Sequence, residues 1–315
     1  MQFLAILILL LASLFSYGQT VNDRTKAHDN AIWLQQQLDS DKTVSLPKGV
    51  LYIDKACKTR ITIGTRITTG GSGIGYWYPA DHPSKISNTQ SRIHQITPGE
   101  PCLILRGTGV ICYSPLVLEG EGQGYAIVVE GRAGPVATGH HKFQNIGFYN
   151  WDCCILALGG YYRDDGSVQP DENHADNSSF TDCYAFNTNK LFESRNQQAL
   201  NWVFEKWFWQ GTVKPSDYGI AFDIQRGGSL TVQHLIVENP RWSLLRLKDF
   251  SPNNCWYDFS GIWVDTMMTP DTNFTWVEYV GDPVAAGWSK YSINLDAFTG
   301  TQQKPIEQHP QYKVP

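Results

Sequence analysis

The chain has 315 residues, 13% of them aromatic with 11 tryptophans, and a formal net charge of −5. That length accommodates one large domain or two small ones, and an acidic balance without a basic patch excludes nucleic acid as a partner. Much of the aromatic content must line a core, but exposed aromatics also serve to stack on pyranose rings.

The chain opens MQFLAILILLLASLFSYGQ. Its apolar run, residues 3–15, is too short to span a bilayer and fits the central region of a secretory signal. Ser16 and Gly18 supply the small residues before a cleavage point. Residues 1–18 are therefore expected to be a signal peptide, and the mature chain to be secreted or periplasmic with no membrane span.

Next, Ala27, Ala31, Leu34 and Leu38 recur at spacings of 4, 3 and 4, one stripe of a helix. Asp23 is a plausible N-cap, and Asp39, Ser40 and Asp41 stop the helix. Short strands are expected at 44–46 and 50–53 around the turn Pro47-Lys48-Gly49. Residues 19–58 read as a capping helix with first strands. Residues 59–115 read as irregular, with a glycine-rich loop at 70–75 and an aromatic cluster at Tyr76, Trp77 and Tyr78 beside it.

Five segments then align on one another, beginning at Phe143, Phe180, Phe204, Val232 and Phe259, separated by 37, 24, 28 and 27 residues. Each carries a polar or small residue two places on: Asn145, Asp182, Lys206, His234 or Gly261. A recurring interval of this size marks a solenoid, whose repeats bury their apolar faces only against neighbouring repeats. Short apolar runs rich in Phe, Trp, Val and Ile, broken by Asn, Asp and Gly, identify the repeats as strands. The long interval holds a polar stretch, residues 161–178, expected to protrude as a loop. The repeat fades beyond Val280, so the solenoid is assigned to 59–292 and a tail to 293–315.

The residues Asp29, Ala31, Ile32, Leu38, Val44, Leu46, Pro47, Gly49 and Ile53, with the later segment Leu116-Val-Leu-Glu-Gly-Glu-Gly-Gln-Gly124, resemble the pectate-lyase-like (pectin-lyase-like) right-handed parallel β-helix proteins. The resemblance covers roughly residues 25–280. It implies an all-β fold, a right-handed parallel β-helix or solenoid with a short N-terminal capping helix. It implies a polysaccharide partner, while leaving activity open among lyases, hydrolases, epimerases and non-catalytic spikes.

In such coils, strands after the Asn-type turns stack side by side and gather distant residues on one face. Strict alternation there puts Ile220, Phe222, Ile224, Leu245 and Leu247 inside, and Ala221, Asp223, Gln225, Leu244, Arg246 and Lys248 outside. Glu193, Arg195 and Glu278 join the outer face. Lys248, Arg246 and Asp223 are the catalytic candidates, and Glu193, Arg195, Gln225 and Glu278 the substrate-binding ones. A uronate lyase needs a cationic base, a hydrolase two carboxylates, and the same carboxylates are candidates for a Ca²⁺ ion.

Other motifs do not fit. Asn187-Thr188-Asn189 lacks the acid of the polygalacturonase signature, Asp164-Asp165 and Gly139-His140 are out of order, and only Arg246-Leu247-Lys248 matches. His234 shares its turn position with Asn145 and reads as structural. Seven cysteines (Cys57, Cys102, Cys112, Cys153, Cys154, Cys183 and Cys255) show no metal-binding spacing and read mostly as small core residues. The first reading is a secreted lyase acting on an acidic, uronate-containing polysaccharide. The alternative is a non-catalytic glycan-binding, adhesin or virion-spike-like β-helix.

Overall fold

The computed structural model describes residues 19–40, 42–61, 64–71, 90–132, 138–163, 165–171, 174–211, 219–238, 243–248, 255–265, 275–280 and 291–299. The expected signal peptide, residues 72–89 with the cluster Tyr76–Tyr78, Asp164 and the chain beyond 299 lie outside them. The chain is an all-β parallel solenoid with an N-terminal helix. Among the described residues no helix is long and apolar enough to cross a membrane.

The helix Ala27–Ser40 follows a single 3₁₀ turn in which the Asp23 side chain accepts from Thr25 N–H. All four residues of the expected stripe are buried against the first strands. Thr43–Leu46 pairs in parallel with Arg66–Thr69, and Gly49–Ile53 with Ser91–Gln95. The helix thus covers the apolar end that a first coil exposes.

Each coil has three faces. Phe143 shows the plan. Lys142–Gln144 forms the first face, and Asn145 turns the chain with φ 60°. Ile146–Tyr149 forms the second face, Asn150 turns again at φ 57°, and Cys153–Ala157 forms the third. In later coils the first two faces belong to one bent strand, as in Ser179–Thr188, Trp202–Gly211, Leu230–Glu238 and Cys255–Asp265. Every described pairing between coils is parallel. Parallel crossovers of this kind wind right-handed in nearly all known sheets.

The five repeat positions are register partners in one buried column, Phe143, Phe180, Phe204, Val232 and Phe259. Cys112, Ile67 and Val44 extend it toward the helix. Phe143 and Phe180 stack with centroids 5.1 Å apart. Losing one such ring, as in Phe204→Ala, costs about 3–5 kcal/mol by transfer and cavity. Two places on, Asn145, Asp182, Lys206, His234 and Gly261 all have φ between 52° and 63°. That left-handed turn bends each coil, and it explains the polar or small residue recurring there.

The buried tryptophans find their hydrogen-bond partners on neighbouring coils. The indole N–H groups of Trp151, Trp202, Trp207 and Trp209 donate to the carbonyls of Leu118, Ala175, Phe180 and Thr188. Asn187 donates to Asn150 at 2.7 Å and Asn201 to Asn177 at 2.9 Å, short ladders along the turns. The seven cysteines are buried and none is in a disulfide; burial pushes the Cys57 and Cys112 thiols up to about 12.

Four expectations change. Residues 59–115 are not irregular throughout: Arg66–Thr69, Ser91–Gln95, Leu103–Leu105 and Ile111–Cys112 are strands of the coils. Pairing joins coils where sequence periodicity is too weak to see. The solenoid consequently begins at Thr43 and its pairing continues through Tyr291–Thr299, across the boundaries placed at 58 and 292. The 161–178 stretch is not a plain loop. Gly160–Tyr162 and Val168–Pro170 form an antiparallel hairpin, while Ala175 and Ser178 are buried in the coil. Arg132 lies 4.2 Å over the Tyr161 ring and Glu130 accepts from Tyr162 N–H, which pins the hairpin down. Finally, Ala221 and Leu244, expected outside, are fully buried in the core beside Phe222 and Leu245. A corner of the coil turns two successive side chains inward there, so strict alternation fails at the start of the third face.

Candidate functional site

The third face carries the residues that the sequence singled out. Glu193, Asp223, Arg246 and Glu278 are register partners on successive coils and form one ladder. Glu193 and Asp223 are nevertheless only 2% and 1% exposed. Their charges are met within the face. Lys190 Nζ donates to Glu193 at 2.7 Å and stands 2.8 Å from the Asp223 carboxylate. Gln225 donates to Asp223 at 2.7 Å, and Arg195 donates to Glu193 at 2.5 Å and to the Tyr125 hydroxyl at 2.6 Å. Arg246 and Glu278 pair at 2.8 Å. Lys248 is exposed just past the end of its strand.

Lys190 is the residue that sequence reasoning missed. The corner that turns Leu191 and Phe192 inward leaves Lys190 outside, three residues before Glu193. Burial by itself lowers the pKa of this ammonium; Glu193 and then Asp223 outweigh it, and the net shift is upward. A proton-abstracting lysine needs the opposite shift. The carboxylates considered for Ca²⁺ are held by Lys190, Arg195, Gln225 and Arg246. Among the described residues no three His, Cys, Asp or Glu side chains gather as a metal cluster.

The second face presents a different surface. Past the left-handed turn, Cys183, Trp207, Leu235 and Ile262 point into the core. The next residues, Tyr184, Phe208, Ile236 and Trp263, are register partners on the outside. They floor a groove of about 640 Å³. One rim is the turn column, with Lys206, His234 and Gly261, and the other holds Phe186 and Glu238. Toward the N-terminus, Val117, Tyr149, Tyr184 and Phe186 form a second apolar cluster separate from the core, with Tyr149 and Phe186 stacked at 5.1 Å. At the groove's other end Ile236 is 41% and Trp263 54% exposed.

Nothing in the sequence argument named this groove, although a signal was present. In Cys183-Tyr-Ala-Phe186, Trp207-Phe-Trp-Gln210 and Leu235-Ile-Val-Glu238 the outward parity holds Tyr, Phe and Ile where a solvated strand alternates to polar residues. His234 keeps the expected turn role at φ 57° and also lines the groove.

No protein-family model and no curated protein matches the chain. A solved structure, phiAB6 tailspike in complex with three-repeated oligosaccharides of Acinetobacter baumannii surface polysaccharide, is similar at 13% identity and a TM-score of 0.49. The match covers 91% of this chain and 49% of that one, so the chain spans about half the tailspike's length.

Proposed function

We propose that this protein is an exported polysaccharide-binding β-helix whose sugar site is the groove of the second face. One observation carries the reading: an unbroken outward column of Tyr184, Phe208, Ile236 and Trp263 that ends with its last two side chains substantially exposed. A contiguous apolar patch in water marks a binding surface. Pyranose rings offer apolar C–H faces to aromatic side chains and hydroxyls to polar rims. The groove's volume lies in the roughly 300–1,000 Å³ range of ligand sites. The pectate-lyase-like resemblance at the N-terminus agrees with a polysaccharide ligand, and the apolar 3–15 run with export.

Cleavage is a second reading, favoured by the in-register carboxylates Glu193 and Asp223 on adjacent coils. A lyase on this face has less support, because Lys190 is held charged and Arg246 is paired with Glu278. Lys248 would be its base.

The test is binding of the mature chain to a polysaccharide panel with product detection in parallel. Trp263→Ala is expected to weaken binding about tenfold, or ~1.4 kcal/mol. Unaltered binding in Trp263→Ala and Phe208→Ala sinks the groove reading. New reducing ends or unsaturated uronate absorbance would establish cleavage.

A further inference from the structure

We infer that the groove is built for uncharged sugar units and not for uronates. This inference rests on the reading of the groove as a glycan site and names the substrate class. Among the described residues, the lining contains one lysine, one histidine, one carboxylate and no arginine. Lys206 is already 3.6 Å from the Glu205 carboxylate, and Gln210 donates to Glu238 at 3.2 Å. Lys206 on one rim and Glu238 on the other carry opposite charges.

A uronate polymer brings one carboxylate per sugar. Recognising such a series takes repeated cations, preferably the two-pronged guanidinium. Laid along this floor, successive carboxylates would lose water against Ile236 and Trp263 with no series of partners, a costly burial. The third face has more cations, but Lys190, Arg195 and Arg246 all hold carboxylates of their own chain.

A neutral hexose fits the pattern better. The apolar column is one side chain wide and runs along the solenoid axis. Polar residues flank it on both sides, Lys206 and His234 on one and, one coil past Phe186, Gln210 and Glu238 on the other. A sugar with an apolar ring face and a rim of hydroxyls meets both requirements at once. From Tyr184 to Trp263 the column crosses four coils, about 14 Å at the usual strand spacing. That length suits a short oligosaccharide segment. Gly261 closes the turn column without a side chain, and the His234 ring packs over it: a Cβ there would stand 2.9 Å from His234 Nδ1.

The experiment titrates the full chain by calorimetry with hexasaccharides of glucose, mannose and N-acetylglucosamine. Oligogalacturonate and oligoalginate of the same length serve as the acidic arm. Each is run at about 50 mM and about 500 mM salt, where the screening length differs severalfold. The expected result is binding of a neutral oligomer, insensitive to salt and weakened at least tenfold in Trp263→Ala. Acidic oligomers that bind more tightly, lose affinity with salt and depend on Trp263 would overturn the neutral class while leaving the groove as the site. Binding that ignores both Trp263→Ala and Phe208→Ala would overturn the groove itself. No binding by any neutral oligomer would also overturn the inference. Circular dichroism of each variant establishes that a lost signal is not lost fold.

Discussion

The second and third faces of the solenoid are built by the same stacking and end in opposite surfaces. On the third face the outward column is Glu193, Asp223, Arg246 and Glu278, and each described charge meets another of opposite sign within its own coil or the next. On the second face the outward column is Tyr184, Phe208, Ile236 and Trp263, and it ends in exposed apolar area. Residue type alone would assign chemistry to the first and core packing to the second. The contacts reverse this. Charges that satisfy one another contribute to the fold, and apolar groups left in water are the ones with binding free energy to gain.

The sharpest way to break this contrast is Lys190→Ala. Removing the ammonium leaves Glu193 and Asp223 buried without it, and truncating one partner of a buried ion pair typically costs about 3–5 kcal/mol. Urea unfolding reads it, and a loss under about 1 kcal/mol would mean the face is not a structural network. Its pH dependence sharpens the point. The Lys190 pKa is raised above the ordinary 10.5, so its contribution is fully present below that value and is lost as pH rises through the folded pKa. Wild type and Lys190→Met should therefore differ most at neutral pH and converge above about 10.5.

Trp263→Ala should do the converse. It weakens glycan binding about tenfold while changing stability by no more than about 0.5 kcal/mol, as expected of a side chain this exposed. A thermal shift as large as that of Lys190→Ala would place the indole among structural groups. Smaller still is the effect of trimming the hairpin tip between Arg163 and Ser167, where Asp165 and Ser167 bond only locally. Melting should move by at most a few degrees, provided Tyr161 and Tyr162 are kept on their contacts with Arg132 and Glu130. The smallest effect is expected from Lys248→Ala, which leaves both stability and glycan binding within about 0.5 kcal/mol. Abolished turnover of a uronate polymer in that variant would instead restore the lyase reading.

How much of this was legible beforehand follows from the range of each force. The helix stripe, its Asp23 cap, the alignment of Phe143, Phe180, Phe204, Val232 and Phe259, and the turn residues two places on are local patterns. They depend on backbone sterics and on which side chains tolerate a left-handed turn, so the amino-acid order alone determined the repeat and the fold class. It also placed Glu193, Asp223, Arg246 and Glu278 on one face, because a fixed repeat carries register with it. Tertiary structure decided the rest. Only the corner between faces turns Leu191 and Leu244 inward and Lys190 outward, and only stacking brings Lys190 within reach of Asp223, 33 residues away. Likewise, a run such as Trp207-Phe-Trp does not say which of its rings the core accepts. Burial is a property of the assembled surface, and Phe208, Ile236 and Trp263 became a groove when four coils had stacked and, among the described residues, left that side uncovered.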